Sequence, residues 1–493
     1  MGPVCIATVV NKSENWDAEV IDENNLRLYG PRDLLGGANH ELLQNTRPAD
    51  MVGLYGGLTS TIPRLYEVAR FYKEKGVIVV AGGQHFIDEN INEALDAGVD
   101  YVVIGEGELT IKYLIEALQD GKDLSQVKGI AYRKDSETII TEPREPITDF
   151  DALAQPDFSL VRYTKIKLYP VGRIRGCGMD CEFCTVKGKP RCASPERLVE
   201  NIAYLLETRD ARHFFIVDDL FGQFRQESIR FCHMLCDYQN RINKRLDVAV
   251  QIRLDKAKDE ELLLAMRQAG INTVAIGFES PIEEELEAMK KHIRPGEMIE
   301  LARIYHHLGF LVHGMFIFGY PLKEGVCAAI SLAERVKRYK TFIREAKIDT
   351  IQVLLPVPLP GTELRQRLAK DKRIYAQEDI GWEYYDGNFP TFEPDAQVSA
   401  QELQYAIRKI MSRFYEFKYI FMIGLQALSF TSLVFFLHNI KAGWRQWYRP
   451  WRNNLARFGG WVIMKGWANQ FKKGSYRECL KRAQERTKKA KGG

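Results

Sequence analysis

Three cysteines within thirteen residues constrain this chain more than any other feature. The stretch GRIRGCGMDCEFC, residues 172–184, holds Cys177, Cys181 and Cys184 in the spacing Cys-x-x-x-Cys-x-x-Cys. Three thiolates so close together can grip three corners of a cubic 4Fe-4S cluster. The fourth iron then has no protein ligand and is open to a small molecule. A cluster built only for electron transfer normally takes four cysteines, so three point to chemistry at the open iron. The alternatives are a zinc site or a chance grouping. Zinc motifs usually pair Cys-x-x-Cys with a second Cys or His pair downstream, and none follows here. Cys192 is near, but it lies past the turn KGKPR.

The rest of the composition is ordinary. At 493 residues the chain is long enough for two or three domains. Hydrophobic residues make up 45% and charged residues 27%, as in globular proteins, and a net charge of +4 does not by itself call for nucleic acid. Nine cysteines are too sparse for a disulfide scaffold. Clustered thiols favour a reducing compartment. The opening residues, MGPVCIATVV, have no basic leader, so no secretory signal is expected and a cytoplasmic setting is.

Residues 1–145 alternate apolar, β-branched runs with amphipathic helical patterns. The expected strands are AEVIDEN, MVGLYG, VIVVAGG and YVVIGEGE, and the expected helices PRLYEVARFYKEKG and ELTIKYLIEALQDG. Such alternation predicts a doubly wound parallel sheet. Ligands on such sheets sit at the carboxyl ends of strands, where glycine lets the backbone come close. Three glycine-bearing ends stand in series: Gly53–Ser60, Gly82–His85 and Gly105–Glu108. His85 closes one of them, as a site residue or simply as a loop cap. Residues 146–168 break the periodicity with proline and polar residues and read as a connector.

A second α/β series fills residues 169–375. Its expected strands are VGRIRGC, HFFIVDD, VAVQIRL, TVAIGFES, LVHGMFIFGYP and TIQVLLPVP, separated by helices such as SPERLVENIAYLLETR, DEELLLAMRQAG and GEMIELARIYHHLG. Six β/α units of this size fit a partial barrel, with reactive residues at the carboxyl ends of the strands. Asp218 and Asp219 end the second strand, Arg253 the third and Glu279 the fourth. The two aspartates suit either a helix cap or a bound ammonium. Cys232 and Cys236, four apart on an expected helix, read as buried packing, and His306 and His307 as packing or surface residues.

With these residues in place the chain resembles the radical SAM superfamily. Phe183, just before the last cysteine, also fits, because an aromatic commonly stands there. In that family the open iron binds the amino and carboxylate groups of S-adenosylmethionine, and an electron from the cluster cleaves the sulfonium to give a 5'-deoxyadenosyl radical. The resemblance implies that Asp218 or Asp219 meets the amino group, Arg253 the carboxylate and Glu279 the ribose. Gly319, Tyr320 and Pro321 would form the turn beside the adenine. Pro358, Gly361 and Thr362 of the loop PVPLPGTEL would line the cavity.

The first domain is similar to the cobalamin-binding, flavodoxin-like domain fused in front of many such enzymes. By that resemblance Thr59, Ser60 and Thr61 meet the nucleotide tail of cobalamin. Gly82, Gly83 and His85 would lie on the corrin side, and Gly105, Glu106 and Gly107 would close the site. Two departures stand out. No Asp-x-His-x-x-Gly signature supplies a histidine to cobalt, which implies cobalamin without a protein ligand on the metal. GPVCIATVVNKSENWDAEVIDEN also reads as the first helix and second strand of such a domain, so the expectation is either a start that lies upstream or a sheet one strand short.

Residues 376–493 form a helical extension. Trp382, Tyr384, Tyr385 and Asp386 either face a substrate or pack. The nearly uncharged run at 419–437 has about the length that can cross a bilayer. Beyond it, residues 441–493 carry 15 Lys or Arg against 2 Glu, interleaved with tryptophan and tyrosine, a composition suited to a membrane surface rather than nucleic acid. A buried hairpin with a solvated basic end is the alternative. The fold class expected is therefore α/β, a doubly wound cobalamin-binding domain followed by a partial (β/α)6 barrel and a helical extension. The implied cofactors are a 4Fe-4S cluster, S-adenosylmethionine and cobalamin. The implied partners are a hydrophobic small molecule or lipid, a flavodoxin- or ferredoxin-type electron donor, and the inner face of a membrane. The implied reaction is methylation of an unactivated carbon. The rivals are oxidation or ring closure without methyl transfer, and a non-enzymatic sensor.

Overall fold

The computed structural model of the chain describes residues 1–26, 30–34, 36–326, 330–395, 398–428, 441–471 and 475–492. Helix α1 (Gly2–Asn11) and the short strand β1 (Val20–Ile21) come first. They are followed by α2 (His40–Thr46), β2 (Met51–Tyr55), α3 (Ile62–Glu74), β3 (Ile78–Gly82), α4 (Glu89–Asp96), β4 (Tyr101–Val103) and α5 (Gly107–Asp120). Strands β2, β3 and β4 pair in parallel in that order. Side-chain alternation sends Val79 and Ala81 to the face covered by α3 and α4, and Val80 to the face covered by α1 and α5. Helices on both faces make this the expected doubly wound sheet.

Two details differ from the sequence reading. The sheet is extended by an antiparallel hairpin, β5 (Ile130–Lys134) and β6 (Glu137–Ile140). Asp135 and Ser136 at its tip both have positive φ, 48° and 71°, as a two-residue hairpin turn of the primed type requires. The run AEVIDEN does not join the sheet; Val20 and Ile21 pair only with β7 (Val161–Arg162). Strands in parallel sheets are buried on both faces and favour unbroken apolar runs, and this run carries three acids, Glu19, Asp22 and Glu23. Glu19 instead pairs with Arg47, and Glu23 lies 2.8 Å from Arg64 and 3.1 Å from His40.

The second series contains β8 (Tyr169–Val171), β9 (Ile174–Arg175), β10 (Arg191–Cys192), α6 (Pro195–Arg209), β11 (His213–Phe221), α7 (Arg225–Arg241), β12 (Asp247–Ile252) and α8 (Glu260–Gln268). It continues through β13 (Ile271–Glu279), α9 (Glu283–Ala288), α10 (Pro295–His307), β14 (Leu311–Ile317), α11 (Leu332–Glu345) and β15 (Thr350–Leu354). Six strands form one parallel sheet in the sequential order β8-β11-β12-β13-β14-β15. That is the partial barrel, open between β8 and β15. Phe214, Ile216, Val248, Val250, Val274, Ile276, Val312 and Phe316 are buried between this sheet and its helices. The expected first strand is divided. Tyr169–Val171 stays in the barrel, while Ile174–Arg175 leaves it to pair antiparallel with Arg191–Cys192.

The remaining helices are α12 (Glu363–Lys370), α13 (Gln377–Ile380), α14 (Ala400–Phe414), α15 (Lys418–Leu428), α16 (Lys441–Phe471) and α17 (Ser475–Gly492). Ser399 and Glu402 form a capping box that starts α14, whose Leu403, Ile407 and Ile410 pack on the barrel core. Tyr476, Leu480 and Ala483 of α17 are buried in the same cluster as α3 and α4, so the far end of the chain closes over the first sheet. No helix of the described residues is long and apolar enough to cross a membrane. Of the apolar run at 419–437, positions 429–437 lie outside the described residues.

Candidate active site

The cysteine loop, residues 176–190, is closed at its base by the β9–β10 pairing, with Ile174 opposite Cys192. Two adjacent aspartates near the end of β11 hold that base. Neighbouring residues on a strand point to opposite faces, and the pair divides accordingly. Asp218 is buried, and its Oδ1 accepts the N–H groups of Arg173 (2.6 Å) and Ile174 (2.9 Å). Burial pushes its carboxyl up to about 6, against the lowering effect of those two amides. Asp219 accepts the Gly176 N–H at 2.6 Å and faces the cleft described below. Gly176 and Gly178 have φ of +83° and +68°, conformations that favour glycine and let the loop turn on both sides of Cys177.

The tip of the loop is pinned by a buried ion pair. Glu182, between Cys181 and Phe183, accepts Arg367 Nε at 2.7 Å, Arg367 Nη2 at 2.9 Å and the Tyr320 hydroxyl at 2.7 Å. Its backbone donates to Met289 and accepts from Leu364. Lys187 spans the loop, 3.0 Å from Asp180 and 3.0 Å from the Cys181 carbonyl, and Lys290 adds a 3.1 Å contact to Asp180. Burial pushes the Cys181 and Cys184 thiols up, and Cys177 acts on both in the same direction, so the three thiols sit within electrostatic reach of one another. Among the described residues no three His, Cys, Asp or Glu side chains are arranged to hold a metal ion. The donors that the loop brings together are soft thiols. The charged groups acting on Cys181 and Cys184 are Lys187, Lys291 and Glu279. By donor chemistry, three thiols without a fourth donor suit an iron–sulfur cluster with one open iron better than a closed zinc site.

Glu279 ends β13 in a left-handed conformation (φ 61°) and pairs with Lys291 at 3.0 Å, both acting electrostatically on Cys181. Arg253 follows β12; its guanidinium holds Asp255 at 2.9 Å and reaches the Met179 sulfur of the cysteine loop at 2.6 Å. The strand-end residues expected to hold a nucleoside thus do gather around the loop. Phe183 packs against Tyr320, with ring centres 6.2 Å apart. Gly319 and Pro321 belong to the packing beneath. A Cβ on Gly319 would come within 2.6 Å of Leu403, and the Pro321 carbonyl accepts from Arg367 at 3.0 Å.

A cleft of about 2210 Å³ separates this loop from the strand ends of the first domain. Pockets for drug-sized ligands run about 300–1,000 Å³, so this one has room for a macrocycle. Ser60, Thr61, Gly82, Gly83, Gly105, Glu106 and Gly107 line one wall, and Gly176, Val186, Lys187 and Asp219 the other. Gly83 (φ +132°) packs directly on its own wall's backbone, where a Cβ would stand 2.5 Å from the Gly56 carbonyl carbon. Direct contacts bridge the walls. Thr185 donates to Gln84 at 2.9 Å; Arg175 and Arg191 reach Glu106 at 2.8 and 2.9 Å; Arg175 also pairs with Glu108. These arginines were not singled out in the sequence, although Arg175 lies inside the cysteine motif.

Several expected positions fall elsewhere. Thr59 and His85 are buried and do not line the cleft. His85 turns into the protein, its ring 4.8 Å from that of Trp382 and Nδ1 3.4 Å from the Thr59 hydroxyl, because an apolar pocket closes over it from the C-terminal region. Burial lowers its pKa to about 4, and Arg365 adds to that. Glu106 lines the cleft, but its carboxylate is already taken by the two arginines and the Ile147 N–H at 2.7 Å. Trp382 and Tyr385 are packing residues, the indole N–H donating to Glu93 at 2.9 Å. Of the loop after β15, Gly361 lines the cleft, whereas Thr362 is the buried N-cap of α12 and Pro358 lies outside the lining. Cys232 is fully buried in the barrel core.

Comparison with known proteins agrees with this geometry. Residues 171–325 match the radical SAM superfamily and residues 13–115 the B12 binding domain. An uncharacterized methyltransferase of Pyrococcus horikoshii is 28% identical over 387 residues, 74% of this chain and 78% of that protein. The anaerobic magnesium-protoporphyrin IX monomethyl ester cyclase of Rubrivivax gelatinosus is 25% identical, over 73% of this chain and 65% of its own length. The hopanoid C-2 methylase of Rhodopseudomonas palustris is 26% identical, over 56% of this chain and 50% of its own length. Among solved structures, the radical S-adenosylmethionine methyltransferase TsrM of Kitasatospora setae shares the fold, with a TM-score of 0.62 at 16% identity, covering 76% of this chain and 74% of that one.

Proposed function

The chain belongs to the radical SAM superfamily and is a cobalamin-dependent enzyme of it, and from that premise we propose that it methylates an unactivated carbon of a hydrophobic small molecule or lipid. The observation that carries this reading is the cleft itself, bounded on one side by the cysteine loop and on the other by the glycine-edged strand ends. Bound there, the cluster with S-adenosylmethionine supplies hydrogen-atom abstraction and cobalamin supplies a methyl group. The chain's own residues orient the two sides. Asp219 offers a carboxylate to an ammonium; Arg253, Glu279 and Lys291 set a charged rim beside Cys181; Gly53 and Gly105, whose Cβ positions face open space, leave the opposite wall bare of side chains so that a flat ring can approach.

A hydrophobic substrate is supported by the cleft's walls. Tyr55, Leu58 and Leu168 line it and are more than half exposed to solvent there. The hopanoid methylase is a relative whose name states an apolar substrate. The electron for the cluster would come from a flavodoxin- or ferredoxin-type donor. The cyclase relative supports a second reading, oxidation or ring closure without methyl transfer.

Anaerobic reconstitution with iron, sulfide and cobalamin, followed by turnover with methyl-labelled S-adenosylmethionine and a lipid extract, separates the two. The proposal expects label in the extract and a product heavier by one methylene unit. Deoxyadenosine formation with an unlabelled product that has lost hydrogen or gained oxygen would replace it with the second reading.

A further inference from the structure

Helix α15 is amphipathic the wrong way round for a soluble hairpin, and its partner α16 also leaves apolar residues exposed. In α15 the polar side chains face its partner helix: Gln426 accepts from Asn454 at 3.1 Å, and Tyr419 accepts from Arg457 at 3.4 Å and lies beneath its guanidinium. The apolar ones face out. Phe421, Leu425 and Leu428, spaced i, i+4 and i+7 on one helical face, are 64%, 64% and 86% exposed. Helix α16 is anchored to the barrel through Asn453 and Arg457, which donate to Asp349 and the Ile348 carbonyl, and through Trp461 and Met464, which pack on the core. Its other side leaves Leu455, Val462 and Ile463 exposed. The hairpin is thus rigidly mounted while its outward surface is apolar.

Charge identifies the occupant. The 31 residues of α16 include six Lys or Arg and no acid, and α15 has a single charged residue, Lys418. Lys465 lies 4.6 Å over the Trp461 ring at the edge of the exposed apolar stretch. The acid beside the exposed apolar residues, Glu416, is paired with Lys418 at 2.5 Å, so the balance of charge is cationic. Exposed aliphatic and aromatic side chains on a cationic helix pair match a helix lying in the headgroup region of an anionic bilayer. We propose that the α15–α16 hairpin is a membrane-docking surface that seats the enzyme on anionic lipid without spanning it. This does not depend on which carbon is methylated.

Flotation of the purified full-length protein with vesicles of phosphatidylcholine, alone or mixed with phosphatidylglycerol, tests it. The protein should float with the mixed vesicles, less with phosphatidylcholine alone, and less at raised salt. The F421E/L425E double variant should lower the bound fraction at least about tenfold, since burial of each large apolar side chain is worth about a decade or more in partitioning. Its iron and cobalamin content should match the parent, which separates lost docking from lost folding; if they do not match, V462E/I463E on the other helix makes the same comparison. A parent that never floats, a correctly loaded variant that floats as well as the parent, or equal binding to both vesicle types at every salt would overturn the proposal. So would concentration-dependent self-association abolished by the same substitutions, which would make a second copy of the chain the occupant.

Discussion

The two walls of the cleft are held by opposite means. The cysteine loop is fixed by side chains: Asp218 and Asp219 on its base, the Glu182–Arg367–Tyr320 network behind its tip, and Lys187 across it. The facing strand ends are fixed by backbone. Gly56 donates to the Gly82 carbonyl at 2.8 Å, His85 donates to that of Gly56 at 3.1 Å, and Gly83 passes close enough to exclude any side chain. A loop that must present three thiols at fixed spacing needs its geometry determined before any ligand arrives. A wall that receives a large flat ligand needs a smooth face, and glycine supplies one.

The sharpest break between the walls comes at the cysteines. Replacing Cys177, Cys181 or Cys184 singly with alanine should reduce iron and sulfide to background and abolish deoxyadenosine formation, while cobalamin binding on the other wall persists. Cys192→Ala and Cys232→Ala should keep their iron. Cobalamin lost together with iron would show that the walls are not independent. Next in size is the anchor. Glu182→Ala leaves the Arg367 guanidinium without its carboxylate partner, at a cost of about 3–5 kcal/mol by the usual penalty for breaking a buried pair. A denaturant midpoint measures it, and a drop below about 1 kcal/mol would mean that the loop is held elsewhere.

The opposite wall has a pH signature. His85 titrates near 4 in the folded chain, against about 6.5 unfolded. The unfolded chain therefore takes up the proton first as pH falls. The stability that neutral His85 provides is complete above about 6.5 and is lost progressively down to about 4, with about 2 kcal/mol gone by pH 5. Unfolding midpoints at neutral pH and at pH 5, for the parent and for His85→Asn, isolate this contribution. The variant should lose less on acidification, and an identical loss in both would place the acid sensitivity elsewhere.

How much of this was legible in the sequence follows from how local each signal is. The barrel strands were readable because buried parallel strands are continuous apolar runs, and the cysteine motif because its ligands lie within eight residues of one another. That Asp218 and Asp219 lie near a strand's end was also readable, although β11 runs on to Phe221, but which of them faces the cleft depends on register, and the sequence is silent on that. The family resemblance puts His85 on the corrin side, and its place after a glycine pair suits either a site residue or a loop cap. The pocket that claims it is made by Trp382, nearly three hundred positions later, and no local pattern reports such a contact. The β5–β6 hairpin is signalled only weakly, by short apolar runs on either side of a polar turn in IAYRKDSETII. The apolar residues of AEVIDEN argue for a sheet strand and its acids argue against one, and the acids prevail.

The smallest effect concerns the link between the walls. Glu106 was expected to help close the cobalamin site, yet its carboxylate holds Arg175 and Arg191, which flank the cysteine loop. Although burial alone would raise it, these hydrogen bonds keep its carboxyl below the usual range. Both arginines are partly exposed, at 36% and 24%, so screening limits the worth of the charge. Glu106→Gln keeps the shape and removes the charge, and should cost about 1 kcal/mol. If Glu106 acts as a clamp, cobalamin affinity stays within about twofold of the parent while more deoxyadenosine is released per methylated product, because the two walls have lost their register. If it acts as a ligand, affinity falls steeply with stability unchanged. Titrating cobalamin into the variant and counting deoxyadenosine per product distinguishes the two roles, and only the first keeps the walls as separately built units joined by an ion pair.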